Sequence, residues 1–455
     1  TPYFQKMALP VSQLKVRVSY GRLGNQNGAG LYDYIAQMPL DAQGTNAWLL
    51  PGISSSTASK GTIAQTPKMI SPYITWEKVD NANLGFDLML FKNRLSITAD
   101  LYQRTTRDMI GPAESIPSIS GIASEDRAKV NNATLRNRGW ELSVSWNDKL
   151  KCGFSYGVGF NVFNYKAVVT KYNNPEGIIY NNHTGLAANK GYYEGMDLGE
   201  IWGYRADDLF LSNREIDDYL RKVDLTAFKS NDLWRRGDLK YIDTNGDGRV
   251  DGGKGTLSDH GDLQVIGNTT PKYSFGINLN LGYKGFEVST LLQGVAKRDF
   301  PIAGSNYMFG GNNYNFKEHL DYFSTENPNG YLPRLTGWKD DKDFLVNTGY
   351  NTTRYLLNAA YMRMKNLTVA YTFNKKQLKH IGISNLKVYV TCDNLFTITK
   401  LPKQFDPETL NQVNMSAGGD AKNTAPGLTS PMKQNGNGMV YPMNRNFVFG
   451  LDFTF

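Results

Sequence analysis

Two cysteines among 455 residues, Cys152 and Cys392, exclude a disulfide framework and any CxxC metal or redox motif. They lie far apart, each inside a strand-like pattern, and read as two isolated thiols. Histidine is nearly as scarce. His183, His260, His319 and His380 are dispersed and lack H-x-x-x-H spacing. No apolar run approaches the roughly 18 residues a membrane helix requires. That excludes helical membrane proteins only, since β-barrels alternate lipid-facing and lumen-facing residues and hide from hydropathy. Net charge is +8, with 50 basic and 42 acidic residues scattered along the chain. Without a basic helix or an aromatic-basic stripe, nucleic acid is a poor partner. The chain opens Thr1-Pro2-Tyr3-Phe4 without initiator Met or leader pattern, so it is expected to be the later part of a longer polypeptide.

Aromatic residues and glycine are plentiful, with 27 Tyr, 22 Phe and 45 Gly. The last ten residues show how they are used. Phe447, Phe449, Leu451, Phe453 and Phe455 take every second position, with Val448, Gly450, Asp452 and Thr454 between them. A period of two puts the large apolar set on one face of a strand. About ten residues also crosses a bilayer at a tilt. The pattern recurs upstream: Leu14 to Tyr20, Leu84 to Leu90, Leu95 to Leu101, Trp140 to Trp146 and Phe154 to Val162. It returns at Tyr273 to Tyr283, Phe286 to Leu292, Leu367 to Phe373 and Leu386 to Cys392. Ten strands are counted, with room for two more between 165 and 271.

Their connections alternate in length. Short turns fall at 92–93, 147–151, 284–285 and 374–384, and long loops at 22–75, 107–130, 165–271, 298–357 and 398–440. Outer-membrane barrels sort their connections this way, with short periplasmic turns and long extracellular loops. The expected fold is all-β: a transmembrane antiparallel β-barrel with long extracellular loops and a periplasmic C-terminus. The face opposite the apolar set is small and polar, as a wet or plugged lumen requires. Tyr20, Trp140, Trp146, Tyr273, Tyr283 and Phe286 near strand ends suit interfacial girdles.

Two short helices are expected in the loops. Ser212 to Glu215 is a capping box ahead of Ile216, Tyr219, Leu220 and Val223, and Asn315 is placed to cap a second with Phe316, Leu320 and Phe323 on one face. Such loops either carry function or cover the barrel mouth.

Little looks like catalytic chemistry. Asp243, Asn245 and Asp247, followed by Gly248, have the D-x-N-x-D-G spacing of a calcium loop, in which alternate oxygens converge on one hard cation. The Arg249 carbonyl and Asp251 would add ligands. Lys254 stands where the twelfth-position acid belongs, and the Gly252–Gly255 insertion shifts that role onto Asp259 or Asp262. The other reading of the same residues is an Asx/Gly turn cluster without metal. A structural Ca2+ is therefore the only cofactor considered. Gly153 to Gly157 matches G-x-S-x-G, but Ser155 lies inside an alternating strand where a nucleophile elbow needs a strand-to-helix turn. No enzyme is expected.

Several stretches resemble one family. They include Leu14 to Gly21 with Gly24-Asn25-Gln26, Asn83 to Asp87, Gly237 to Gly248, Ile266-Gly267-Asn268 and Pro271 to Gly276. Tyr283 to Glu287, Tyr331 to Leu335, Tyr361 to Leu367, Asp393 to Phe396 and the terminal strand continue the series. Together they resemble the C-terminal part of SusC/RagA-family TonB-dependent transporters of Bacteroidetes. The resemblance implies part of a 22-stranded outer-membrane barrel filled by an N-terminal plug and capped by a SusD-like lipoprotein. It also implies uptake of oligosaccharides or peptides driven through TonB–ExbB–ExbD, in contact with outer-membrane lipid and lipopolysaccharide. Nothing in the chain matches the plug, and Lys254 departs from the family's loop. Two alternatives remain: a self-contained pore or adhesin of 10–12 strands, and a soluble all-β carbohydrate-binding protein.

Overall fold

The computed structural model describes residues 11–26, 69–111, 128–179, 192–206, 208–303, 317–336, 342–373, 383–410 and 442–454, with scattered positions between. Ten strands form one meander in chain order: β1 (Val11–Asn25), β2 (Glu77–Leu90), β3 (Leu95–Gly111), β4 (Val130–Lys149), β5 (Ser155–Lys171), β6 (Lys272–Tyr283), β7 (Phe286–Lys297), β8 (Tyr361–Phe373), β9 (Asn385–Asp393) and β10 (Asn446–Thr454). All neighbours are antiparallel. Among the described residues β1 and β10 do not pair with each other, so the sheet keeps two open edges and does not close.

Register keeps the apolar set on one face across the whole sheet. Leu14 faces Leu88, and the row continues through Ile97, Val144, Phe160, Ile277 and Leu292. A second row runs Phe286, Tyr371, Val388 and Leu451. A slip of one residue in any pair would turn that strand's apolar side chains to the other face. The opposite face carries Arg17, Gly85, Asp100 and Glu141 in one row. Gly85 is bare for a reason: a Cβ there would lie 2.7 Å from the Arg17 guanidinium carbon and 2.6 Å from an Asp100 oxygen. With hydrogen in that place, Arg17 reaches Asp87 at 2.9 Å and Asp100 at 3.0 Å.

Several strands extend beyond the sequence expectation. β3 runs on past Leu101 to Gly111, and β4 begins at Val130, well ahead of Trp140. In those extensions the apolar side chains are few, and Met109 and Ile110 are adjacent, so the alternation fades although backbone pairing continues.

The two ends of the sheet differ as the loop lengths predict. At one end β2–β3, β4–β5 and β6–β7 join through Phe91–Arg94, Leu150–Phe154 and Lys284–Gly285. Lys284 and Gly285 both have positive φ, 48° and 91°, which suits the primed turns of twisted two-residue hairpins. The 374–384 turn lies largely outside the described residues. Aromatic rings link around this turn end: Phe91 meets Trp146, Phe154 meets Tyr156 and Tyr283, and Phe286 meets Tyr371, which meets Phe373. Tyr20 and Tyr273 lie toward the opposite end of their strands, and Trp140 lies at the middle of β4.

At that loop end the main hydrophobic core is found. The 172–271 segment adds no strand to the large sheet among its described residues; it packs with 298–360 and 394–410 into a folded unit. Phe228 stacks on Tyr241 at 4.3 Å, and Tyr204 and Tyr350 meet both edge-on. Leu225, Leu239 and Val250 are wholly buried. Helix α1 (Asn213–Leu220) starts as its capping box requires: Ser212 Oγ accepts from the Glu215 amide at 3.1 Å, and Ile216 is buried. The Glu215 carboxylate takes the Leu211 amide at 2.9 Å. The second helix shrinks to a 3-10 turn, Lys317–Leu320, with Leu320 exposed and Phe323 buried; Asn315 and Phe316 lie outside the described residues.

Because this core is separate from the sheet's apolar face, the two should fail separately. Tyr241→Ala is expected to cost the loop-end unit about 3–5 kcal/mol. Limited proteolysis should then cut between 200 and 260 while the folded sheet keeps its heat-modifiable gel migration. Simultaneous loss of both would show that they form one cooperative unit.

Candidate functional site at the loop end

Two buried ion clusters hold the loop end together. In the first, Lys229 has no exposed side-chain surface and donates to Asp238 at 2.7 Å and to Asp343. Arg334 bridges the same two carboxylates, reaching Asp238 at 2.6 Å. Asn347 adds a donor to Asp238 at 2.9 Å, and its Oδ1 accepts from the Leu239 amide. Two cations and two anions balance. Burial alone would raise the Asp343 carboxyl, but hydrogen bonds from Lys229 and Arg334 outweigh it and hold it below the usual carboxylate range. The cluster pins the segments around 229–238, 334 and 343–347 to one point.

The second cluster ties the loops to β8. Arg363 donates to Asp406 at 2.7 Å and lies 3.1 Å from Glu408, which also takes Lys365 at 2.8 Å. The Asp406 carboxyl is likewise low: burial raises it, and hydrogen bonds from Arg363 and from the Met443 and Glu408 amides bring it down further. Nearby, Arg298 donates to the carbonyls of Thr269, Pro407 and Leu410, joining three loops.

The residues expected to bind calcium are stitched to their own backbone. Asp243 accepts from the Gly246 and Gly248 amides at 2.6 and 2.8 Å, Asn245 from Asp247, and Asp247 from Arg249. Asp262 is almost wholly buried and accepts amides of Thr244 and Asp251 at 2.7 and 3.0 Å. The Arg249 guanidinium pairs with Asp251 at 3.0 Å, and Lys254 lies 3.7 Å from Asp259. The six residues are neighbours, yet among the described residues no three carboxylate, His or Cys side chains gather as a metal site. Asp259 sits in the turn that returns to Lys254.

Toward its turn end the polar face of the sheet holds a cavity of about 660 Å³ whose lining includes Asn147, Asn280, Ser289, Thr368, Glu287 and Lys387. Lys387 and Glu287 pair across it at 2.6 Å. Ser155, the centre of the G-x-S-x-G match, only donates to the Gly282 carbonyl at 3.3 Å.

A wide, loop-sorted antiparallel sheet with one apolar face and a folded loop end matches a known family model, "TonB dependent receptor-like, beta-barrel", over residues 5–395. The chain belongs to the TonB-dependent receptor β-barrel family. Among curated relatives, it is 26% identical to TonB-dependent receptor P3 of Formosa agariphila over 84% of this chain and 34% of that protein. It is 22% identical to TonB-dependent receptor SusC of Bacteroides thetaiotaomicron over 90% of this chain and 37% of that protein. Among solved structures, the RagAB peptide importer in its open-open state aligns over all of this chain and 41% of that one, at TM-score 0.64 and 20% identity. Another RagAB structure gives TM-score 0.60 at 21% identity. The chain thus spans about a third to two fifths of the proteins it matches.

Sequence reasoning missed both ion clusters of this TonB-dependent receptor chain. Some of their residues did lie inside the quoted family stretches: Asp238 follows Gly237, Arg334 sits in Tyr331–Leu335, and Arg363 and Lys365 sit in Tyr361–Leu367, whereas Lys229, Asp343, Asp406 and Glu408 lie outside them. What was missing was a reason to pair them across the chain.

Removing one partner of a buried pair strands the other charge, so Lys229→Met should destabilise the loop-end unit by about 3–5 kcal/mol, read by hydrogen exchange at residues 225–240. The Asp343 carboxyl is depressed in the folded state. Its contribution is therefore full above the unfolded value of about 3.9 and disappears as pH falls through the lower folded value. Protection corrected for intrinsic exchange should hold down to pH 4 and drop below it. Asp343→Asn should lose protection at neutral pH and show no such acid step.

Proposed function

We propose that this chain is the loop-bearing part of an outer-membrane importer. In this reading it takes up oligosaccharides or peptides with a SusD-like surface lipoprotein as lid. TonB–ExbB–ExbD would drive it through a plug region that this chain does not match. One observation carries the reading: the sheet joins an apolar face to a polar face, and among the described residues the folded loops lie at one end. A lipid-spanning sheet needs every backbone group paired, so β1 and β10 would meet further strands of a larger barrel. The share of its relatives that the chain spans supports this over a self-contained pore. The loop end then faces outside and the turn end the periplasm, with linked aromatic rings at the inner interface. Similarity to SusC and to a peptide importer keeps both ligand classes in the proposal.

Uptake tests it. Cells carrying the intact receptor should accumulate a labelled oligosaccharide or peptide, and a protonophore should abolish accumulation. Entry that ignores the protonophore would instead fit a passive pore. Orientation has its own reporter, because Cys152 is exposed in the Leu150–Phe154 turn. On intact cells an impermeant maleimide should spare Cys152 and label Asp217→Cys on α1. The reverse pattern would discard the orientation.

The proposal extends to one structural calcium ion held by Asp243, Asn245, Asp247, the Arg249 carbonyl and Asp251, with Asp262 closing the loop. Oxygens that accept amides keep a second lone pair, and an extracellular loop meets enough calcium for a site of about 10⁻⁴–10⁻³ M. Adding 5 mM calcium after chelation should slow hydrogen exchange at 243–262. No change would leave only the amide-stitched turn.

A further inference from the structure

On β5 the side chains that share the polar face read Ser155, Gly157, Gly159 and Asn161 from the turn end, and then Phe163 and Tyr165. Phe163 stands about 26 Å along the strand from Ser155, and its neighbour Asn164 is directly opposite Trp140. Register adds a third ring. Gly139 of β4 is opposite Tyr165 on one side and Tyr102 of β3 on the other. A Cβ on Gly139 would lie 2.5 Å from Cζ and from the hydroxyl of Tyr102, so that ring reaches over Gly139, with Tyr165 just beyond. Tyr165 is held by Lys272, whose Nζ donates to the Tyr165 carbonyl at 2.8 Å and lies 5.6 Å from the ring centroid. Phe163 is 43% exposed. One exposed phenyl ring is ordinary, but three rings around one glycine on a face turned to water make a patch.

Polar groups without work in the fold surround the patch. Glu141 is opposite both Asp100 and Phe163, and diagonal to Tyr102. Arg17 already takes Asp87 and Asp100, whereas among the described residues no cation and no donor pairs with Glu141. The hydroxyls of Tyr102 and Tyr165 also lack hydrogen-bond partners among the described residues. The remaining charges do not make a pocket of one sign. Lys272 lies 3.7 Å from Asp197, and Arg104 on β3 and Lys297 on β7 stand to the two sides of Glu141. Three rings, two free hydroxyls and one free carboxylate are left facing water together.

We propose that Phe163, Tyr165, Tyr102 and Glu141 form a subsite on the barrel wall for one sugar ring of a neutral oligosaccharide. The assignment rests on the importer reading above, which makes this face the water-filled one, and it narrows the ligand class. A pyranose has a C–H face that packs on aromatic rings and a rim of hydroxyls that needs donors and acceptors. Tyrosine offers an apolar ring and a polar tip at once. Its hydroxyl both donates and accepts, and the Glu141 carboxylate accepts only, so the hydroxyl rim can be met in both senses. A charged peptide side chain would find no single sign of charge to select it. The place in the fold agrees: Asp197, which reaches Lys272, belongs to the loop-end unit, so the rings lie where that unit meets the wall.

The test measures uptake by cells carrying the intact receptor, with labelled gluco-, manno- and galactohexaoses in α and β linkage, and hexaalanine and hexalysine as comparisons. At least one hexaose should accumulate in a protonophore-sensitive way. The double variant Phe163→Leu, Tyr165→Leu keeps the bulk and loses the rings, and should raise the half-saturating concentration of that hexaose about tenfold. The ring-keeping variant Phe163→Tyr, Tyr165→Phe should stay near the parent, and Glu141→Gln should weaken uptake of the same sugar. An unchanged half-saturation in the leucine variant overturns the site. Protonophore-sensitive uptake of the peptides alone overturns the sugar as occupant and leaves the importer reading intact. No protonophore-sensitive uptake of any probe removes the importer reading and this inference with it. If the leucine variant instead admits a large glycopeptide antibiotic that the parent excludes, the rings seat protein and the subsite is overturned. Heat-modifiable migration checks folding; if the double variant fails it, Phe163→Leu and Tyr165→Leu singly should each weaken uptake.

Discussion

Strand register is the constraint on which the rest of the molecule depends. Each of the nine pairings in the meander could slip by one residue at small backbone cost, yet each slip would expose a row of aromatic and branched side chains on the wrong face. Apolar burial against lipid in the proposed setting, and small side chains on the other face, both act to forbid slips. Gly85 shows the tolerance: replacing one hydrogen by a methyl group would push on the Arg17 bridge to Asp87 and Asp100.

The loop end obeys different physics. It has a conventional aromatic core around Tyr241, and two ion clusters placed where segments far apart in sequence converge. Buried ion pairs add little net stability compared with apolar side chains of the same shape, but they punish wrong partners heavily. Here they select which loops lie together. The sheet below is specified by periodicity, and the unit above it by charge matching and ring packing.

That difference explains what the sequence made legible. All ten strands could be read because alternation is local: Phe447, Phe449 and Leu451 show their face without reference to any other strand. The sorting of turns from loops was legible for the same reason. The strand extensions, such as Gln103 to Gly111, were not, because the few apolar residues there, Met109 and Ile110, are adjacent and carry no period. The loop-end core was also hidden. Trp202, Tyr204, Phe210, Phe228, Trp234 and Tyr241 follow neither helical nor strand spacing, and only their density hinted at burial. Lys229 could not be matched to Asp343 from sequence, since the distance between them carries no pattern. At the calcium-like loop spacing could not distinguish oxygens aimed at a cation from oxygens aimed at amides.

Membership in the TonB-dependent receptor family and the register together make one central claim: a single face of this sheet meets lipid and the other meets water. Spin labels placed one at a time from Gly139 to Trp146 on β4, in the receptor reconstituted into bilayers, measure this directly. The account predicts oxygen accessibility peaking at Trp140, Leu142, Val144 and Trp146. Accessibility to a water-soluble nickel chelate should peak at Gly139, Glu141, Ser143 and Ser145. A profile without a period of two, or with the two reagents exchanged, would contradict it.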